Sequence, residues 1–180
     1  MKLPLLLTFL PLLACVLSPK SGDAQETPVS VLAHTHNEFA FVAKARYDQV
    51  FPLFGGWEEK KWAAGWEPQV VFPTPPSDQQ GMVFTVAHGG MKSVWTNTAF
   101  DAEGGHVQYV YVIPDALVTL IDIHLTKTRG NETQVSVVYE RTALSAEAND
   151  HVTHLAKGDA KSGPEWEQMM NGYLSKVAAK

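Results

Sequence analysis

Residues 109–144 constrain the fold more than any other part of the chain, because three β-rich runs follow one another there. Apolar and polar residues alternate along these runs, a pattern typical of strands that bury one face. The turn around Gly130 between the last two runs is as short as that of a β-hairpin. The sequence therefore predicts antiparallel strands with one oily face that another element must cover.

The same signals recur along most of the chain. Short runs rich in β-branched and aromatic residues alternate with Gly, Pro and Asp turns at a spacing of about 8–12 residues. This spacing favours an antiparallel meander over parallel βαβ units. Seven strands are predicted in all, at 28–37, 69–72, 81–87, 92–100, 106–113, 117–127 and 133–142.

Two short helices are predicted between the first and second strands. Residues 45–54 carry apolar side chains at helical spacing, but Pro52 shortens that helix and Gly55 ends it. Residues 58–64 form the second candidate. A third helical segment is predicted at 145–157, ended by Gly158.

The C-terminal segment predicts one long amphipathic helix. Ser162 and Glu165 have the spacing of a capping box, and Pro164 lies in the first turn, where its missing N–H is tolerated. The apolar positions that follow share one helical face. They are Trp166, Met169, Met170, Tyr173, Leu174 and Val177. Strands followed by a helix long enough to cover them indicate an α+β fold.

Three local sequences resemble the START-like superfamily, also called SRPBCC or polyketide-cyclase-like. They are VFPLF at 50–54 with WAAGW at 62–66, YVIP at 111–114 and VYERTALS at 138–145. The resemblance covers 28–180. It implies a helix-grip fold, in which a curved antiparallel sheet wraps around a long C-terminal helix and two short helices follow the first strand. It also implies an internal cavity, although the superfamily includes binders, transfer proteins and a few enzymes.

Bulky side chains expected to face this cavity are the candidate ligand-binding residues. On 117–127 the better core face is the one that carries Ile121 and Ile123, whereas Tyr109 and Tyr111 compete with Val110 for the inward positions of their strand. The methionines and the tyrosine of the last helix are expected to form the opposite wall. The full set is Trp62, Trp66, Phe84, Trp95, Tyr109, Tyr111, Ile121, Ile123, Tyr139, Met169, Met170 and Tyr173. A filled core with no cavity remains the alternative.

Neither a catalytic nor a metal-ligand motif occurs in the sequence. His34 and His36 share a strand face with Glu38, but the other histidines are scattered, so no metal site and no cofactor are predicted. Asp122 and His124 share the strand face opposite the proposed core, which places them in solvent. The chain is therefore predicted to be a binding module rather than an enzyme.

The first 24 residues are predicted to be an export segment. Residues 3–17 are almost wholly apolar, short for a membrane span and typical of a signal peptide. Two cleavage patterns compete: a lipobox-like run that ends at Cys15, which would become a lipid anchor with a short tether, and cleavage after Ala24. Cys15 is the single cysteine, so the domain at 25–180 has no disulfide. The protein is expected to be periplasmic, membrane-anchored or secreted.

Charge excludes two kinds of partner. The net charge is −5 and Lys60-Lys61 is the only adjacent basic pair, so nucleic-acid binding is not expected. Contact with a membrane is expected only through a lipid at Cys15. The leading hypothesis is an exported domain that holds a hydrophobic or amphipathic, lipid-like small molecule. The alternatives are a cyclase- or hydrolase-type enzyme that uses the same cavity, and a structural domain with a filled core.

Overall fold

The computed structural model describes residues 31–88 and 90–179. Within these residues seven strands form one antiparallel sheet, in the order β1-β7-β6-β5-β4-β3-β2. The strands are β1 (His34–Ala43), β2 (Gln69–Phe72), β3 (Val83–His88), β4 (Met91–Asp101), β5 (His106–Ile113), β6 (Leu117–Lys127) and β7 (Thr133–Ala143). The predicted export segment and Cys15 lie outside the described residues.

Alternation along the strands decides which side chains enter the core. On β6 the buried side chains are Leu117, Thr119, Ile121, Ile123 and Leu125, as the sequence predicts. The register places Ile121 opposite Tyr109 on one side and Tyr139 on the other. Tyr109 and Tyr111 therefore face inward and Val110 and Val112 face outward, which settles the open alternative on β5.

The helices occupy the concave side of the sheet. Helix α1 (Tyr47–Val50) continues into a 3-10 turn (Phe51–Phe54), and a second 3-10 turn spans Glu58–Lys61. A 3-10 turn at Ala146–Ala148 leads into α2 (Asn149–Asp159), and α3 (Ser162–Ala178) follows. Helix α3 packs on β1, and α2 packs on β1 and β7. This arrangement confirms the predicted helix-grip fold.

Within the described residues the first strand starts at His34 and ends later than predicted, and residues 28–30 of the predicted strand lie outside the described residues. β1 runs His34–Ala43, whereas 28–37 was expected, and every residue of β1 pairs with β7. The shift brings Phe39, Phe41 and Ala43 onto the face that meets α3. Burial of these three side chains fixes the register of β1, because the alternation of apolar and polar residues is weaker before His34.

Two helix boundaries also differ from the sequence prediction. Gly158 does not end α2, which continues through Asp159 because that residue pairs with Arg141 of the sheet. The capping box at Ser162 does not form. Lys161 is the N-cap residue, and the Ser162 hydroxyl instead donates to the Gly158 carbonyl at 3.1 Å. The short turn between α2 and α3 places Ser162 already inside the helix.

The apolar stripe of α3 is only partly buried. Met170 and Leu174 are buried, Trp166 and Tyr173 are half-buried, and Val177 is 49% exposed. Gly163 lets the helix approach the sheet, since a Cβ there would lie 3.3 Å from Phe39. In the described part of the chain, no helix has the length and apolar character that crossing a membrane requires.

Candidate ligand-binding cavity

A cavity of about 200 Å³ lies between the sheet, α3 and the second 3-10 turn. We name it the Glu59 cavity after the one charged side chain on its wall. It is lined by Glu59, Ala63, Ala64, Gly65, Trp66, Trp95, Tyr109, Ile121, Ile123, Tyr139 and Trp166. A hollow therefore lies between the sheet and the terminal helix, although its volume of about 200 Å³ is below the roughly 300 Å³ at which small-molecule pockets usually begin.

A second cavity of about 310 Å³ adjoins the first. We name it the Arg141 cavity. It is lined by Trp66, Met91, Ser93, Trp95, Tyr111, Ile113, Ile121, Tyr139, Arg141, His151 and Leu155. The two cavities share Trp66, Trp95, Ile121 and Tyr139, so they are neighbouring compartments of one hollow region.

Two groups of aromatic rings form most of the wall. In the first, Trp95 stacks on Tyr111 with ring centres 4.1 Å apart and meets Trp66 edge-on at 5.1 Å. In the second, Trp166 of α3 contacts Trp62 edge-on at 5.4 Å and Tyr139 at 6.5 Å. Edge-to-face and offset contacts of this kind fix ring positions, so the cavity walls are held by packing inside the protein.

Glu59 is placed on the wall by contacts that come from a distant loop. The Asp78 carboxylate accepts the Trp57 and Glu58 backbone N–H groups at 2.8 and 3.1 Å, which satisfies the start of the 3-10 turn. Gly55 makes this possible, since a Cβ there would lie 2.0 Å from Asp78 Cγ. The turn that carries Glu59 is thus fixed at its first residues.

The Glu59 carboxyl group is unusual for a wall residue. Burial, reinforced by the negative charge of Asp78, raises its pKa from 4.5 to about 8. Among the described residues, its side chain has no hydrogen-bond or ion-pair partner. The Tyr139 hydroxyl on the same wall is also unpartnered there, and burial raises the pKa of Tyr139. Two polar groups thus face the Glu59 cavity with unused hydrogen-bonding capacity.

Arg141, unlike Glu59, has hydrogen-bond and ion-pair partners within the protein. Its guanidinium binds Asp159 through two hydrogen bonds, of 2.5 and 2.7 Å, and both side chains are less than 10% exposed. It also donates to the Tyr111 hydroxyl and, at 3.0 Å, to Thr119 Oγ1. The Arg141 charge is therefore neutralised and its donors are used by the protein, so it fixes α2 to the sheet.

The structure brings seven of the predicted site residues to the two cavities: Trp66, Trp95, Tyr109, Tyr111, Ile121, Ile123 and Tyr139. Phe84 and Met170 are buried in the core beside the cavities. Trp62 is buried with its indole N–H donating to the Leu53 carbonyl, and it borders a surface groove with Met169 and Tyr173. The opposite wall expected from Met169, Met170 and Tyr173 is formed by Trp166, because the start of α3 is the part nearest the cavity.

Sequence reasoning missed Glu59 and Trp166 as wall residues and Asp159 as the partner of Arg141. Glu59 had no distinctive local signal, because it lies between Trp57 and Trp62 in a run of four charged residues, Glu58 to Lys61. The pairing of Arg141 with Asp159 has no local signal, since it depends on how α2 docks on β7.

Comparisons with known proteins show likeness in structure only. No family model matches the chain, and no curated protein matches it by sequence. Norcoclaurine synthase from Thalictrum flavum, solved with dopamine and hydroxybenzaldehyde, is 12% identical, with a TM-score of 0.57 over 82% of this chain and 88% of that one. Ara h 8.0201 is 15% identical, with a TM-score of 0.58 over 80% and 99%.

An uncharacterised protein from Bacillus thuringiensis is 18% identical, with a TM-score of 0.54 over 76% of this chain and 98% of that one. At these identities the likeness shows the fold alone. The chain has the helix-grip fold, as its sequence resemblance predicts.

Proposed function

We propose that this protein is a binding module for a compact, ring-containing amphipathic molecule held between the sheet and α3. The observation that carries the proposal is the Glu59 cavity, which combines aromatic walls with a carboxyl group that no described residue satisfies. An aromatic, largely apolar cavity with a few convergent polar groups is typical of a small-molecule site.

Size supports a small guest rather than a long lipid chain. A dry cavity of about 150 Å³ admits benzene, so the 200 Å³ of the Glu59 cavity suits a single substituted ring. The adjoining Arg141 cavity of 310 Å³ gives room for a second ring or a short chain. Apolar burial supplies affinity at about 25 cal/mol per Å² before ordering costs.

The polar end of the guest is expected to meet Glu59 and Tyr139. A hydroxyl or amine on the ring can donate to the Glu59 carboxyl group, which is mostly protonated at neutral pH, and a hydrogen bond between neutral groups is worth about 0.5–1.5 kcal/mol. Arg141 is not available for an acidic guest, because Asp159 already neutralises it. Guests with a donor group are therefore preferred over guests with a carboxylate.

A matched pair of probes and variants tests this function. Toluene and 4-methylphenol differ by one hydroxyl, and calorimetry on the wild-type chain is expected to show tighter binding of 4-methylphenol. Ile121→Trp fills both cavities and should abolish binding of both probes. Leu120→Trp adds the same bulk on the outer face of the same strand and should leave binding intact. Equal binding by wild type and Ile121→Trp would refute the cavity as the site.

One observation favours an enzyme as the second candidate. A carboxyl group with a pKa of about 8 can give or take a proton near neutral pH, which is what a general acid or base needs. Mass spectrometry of the guest that co-purifies from the native host, before and after incubation with the protein, separates the two. An unchanged guest supports binding, and a Glu59-dependent mass change supports catalysis.

We also propose that the protein is exported and that the segment at 1–24 is cleaved, either before Cys15 or after Ala24. The apolar run at 3–17 supports this proposal. Cell fractionation tests it: a membrane-bound wild type released by Cys15→Ser indicates a lipid anchor. A soluble, shortened wild type indicates cleavage after Ala24, and an uncleaved cytoplasmic protein contradicts export.

A further inference from the structure

We propose that His106, Asp122 and His124 form a binding site for one divalent transition-metal ion, such as Zn²⁺, on the outer face of the sheet. One ligand atom from each side chain lies within 4.8 Å of the other two, and no other His, Cys, Asp and Glu group of the described residues meets this condition. The site lies across the sheet from the cavities and does not depend on the proposed function.

The strand register builds this group. His106 on β5 pairs directly with His124 on β6, and side chains at directly opposed positions point the same way. Asp122 precedes His124 by two residues, so the alternation of β6 places both on the outer face. β5 and β6 both lie inside the sheet, with strands on either side, so the three Cα positions are held rigidly.

The distances suit shared coordination. Asp122 Oδ1 lies 2.6 Å from His106 Nε2, and Asp122 Oδ2 lies 3.2 Å from His124 Nε2. The two imidazole rings are parallel within 4°, with centres 4.6 Å apart. Ligand atoms of a tetrahedral zinc site with bonds of about 2.0 Å are about 3.3 Å apart. Small rotations of these partly exposed side chains bring three ligand atoms to that spacing.

A neighbouring side chain holds the Asp122 carboxylate in position for metal binding. Gln108 Nε2 donates to Asp122 Oδ1 at 3.0 Å, which fixes the carboxylate from outside the ligand set. A bound cation would take the place of the imidazole N–H groups that now share this carboxylate.

The donor set selects the class of ion. Two imidazole nitrogens and one carboxylate suit Zn²⁺, Cu²⁺ and Ni²⁺, whereas Mg²⁺ and Ca²⁺ prefer oxygen ligands. Three protein ligands leave the fourth tetrahedral position for water or a small ligand. Side-chain exposures of 30% for His106 and 53% for His124 give an ion direct access from solvent.

A second histidine–carboxylate group provides a natural control. Glu140 lies 3.0 Å from His34 Nε2 and 2.5 Å from His36 Nδ1, also on the outer face. Both histidines are on β1, two residues apart, which separates their Cα positions by about 7 Å along the strand. This group does not bring three ligand atoms within 4.8 Å, so it is expected to bind ions more weakly.

Titration of the full chain, purified without a histidine tag, tests the site. Calorimetry with Zn²⁺ is expected to give one equivalent, and Co²⁺ substitution is expected to give the visible bands of a low-coordinate ion. His106→Ala and His124→Ala should each weaken Zn²⁺ binding at least about tenfold, and Gln108→Ala by about tenfold or less. His34→Ala with His36→Ala should leave binding unchanged.

Two results would overturn the assignment: the lack of a 1:1 isotherm, or equal weakening by the control pair. Circular dichroism of each variant checks that the fold is intact, as expected for substitutions on an outer face. As a second readout, ¹⁵N shifts of the His106 and His124 rings should move on Zn²⁺ addition in the wild type. Shifts confined to His34 and His36 would place the ion at the other group.

Discussion

Arg141 and Glu59, which line the two adjoining cavities, differ in the partners that the protein gives them. Arg141 has two hydrogen bonds to Asp159, one to Thr119 and one to the Tyr111 hydroxyl. Glu59 has no such partner among the described residues, and its pKa rises to about 8. The two residues line adjoining cavities that have aromatic walls in common. Their roles nevertheless differ.

Arg141 therefore has a structural role, whereas the Glu59 carboxyl group is available to a ligand. A buried ion with all of its partners stabilises the docking of α2, and removal of one partner is costly. A half-buried carboxyl group without a partner, such as Glu59, gains a hydrogen bond when a guest supplies the partner. Loss of a partner of Arg141 should therefore mainly lower stability, whereas substitution of Glu59 should mainly weaken ligand binding.

The largest expected effect is a loss of stability when Arg141 loses its partner Asp159. Asp159→Asn leaves a buried guanidinium without its counter-charge, which typically costs 3–5 kcal/mol, so we expect the free energy of unfolding to fall by about that amount. Urea denaturation measures it. Asp150→Asn removes a carboxylate from an exposed position of the same helix and should change stability by less than about 0.5 kcal/mol.

The second effect is the pH dependence that Glu59 causes. The folded pKa of Glu59, about 8, exceeds its ordinary value of 4.5, so the folded state holds the proton more tightly. Stability should therefore be greatest below about pH 4.5 for this group and should fall as pH rises towards about 8. We expect a loss of about 1–3 kcal/mol, since the carboxyl group borders a cavity that water can enter.

Urea denaturation of wild type and Glu59→Gln at several pH values isolates this contribution. The variant cannot ionise at this position, so the difference in stability between the two proteins should grow in favour of the variant from pH 5 to pH 8.5. A difference that does not change with pH would mean that Glu59 ionises in the folded protein as it does in water.

A smaller effect distinguishes two tyrosines of the hollow region. Tyr111→Phe removes the hydroxyl that accepts from Arg141 and should cost about 1–2 kcal/mol. Tyr139→Phe removes a hydroxyl without a described partner and should cost less than about 0.5 kcal/mol, yet it should weaken binding of 4-methylphenol. Thermal unfolding and calorimetry on both variants test the pair, and a larger stability loss in Tyr139→Phe would reverse the comparison.

Much of the fold could be predicted from local patterns. Alternation on β6 and β7 predicts which side chains enter the core, and the stripe on α3 predicts that this helix covers the sheet. The site was predicted in part, because the aromatic wall follows from strand parity. Glu59 with Asp78, Arg141 with Asp159, and His106 with His124 depend on contacts between residues distant in sequence, which periodicity does not report.

The ionisation of Glu59 in the empty protein is the most direct test of a hollow interior with an unsatisfied carboxyl group. A ¹³C NMR titration of the side-chain carboxyl, with Glu59→Gln to assign the resonance, measures it. The account predicts a midpoint near pH 8 that shifts when 4-methylphenol is added. A midpoint near pH 4.5, unmoved by the probe, would show that the carboxyl group is solvated and that the cavity does not hold a guest beside it.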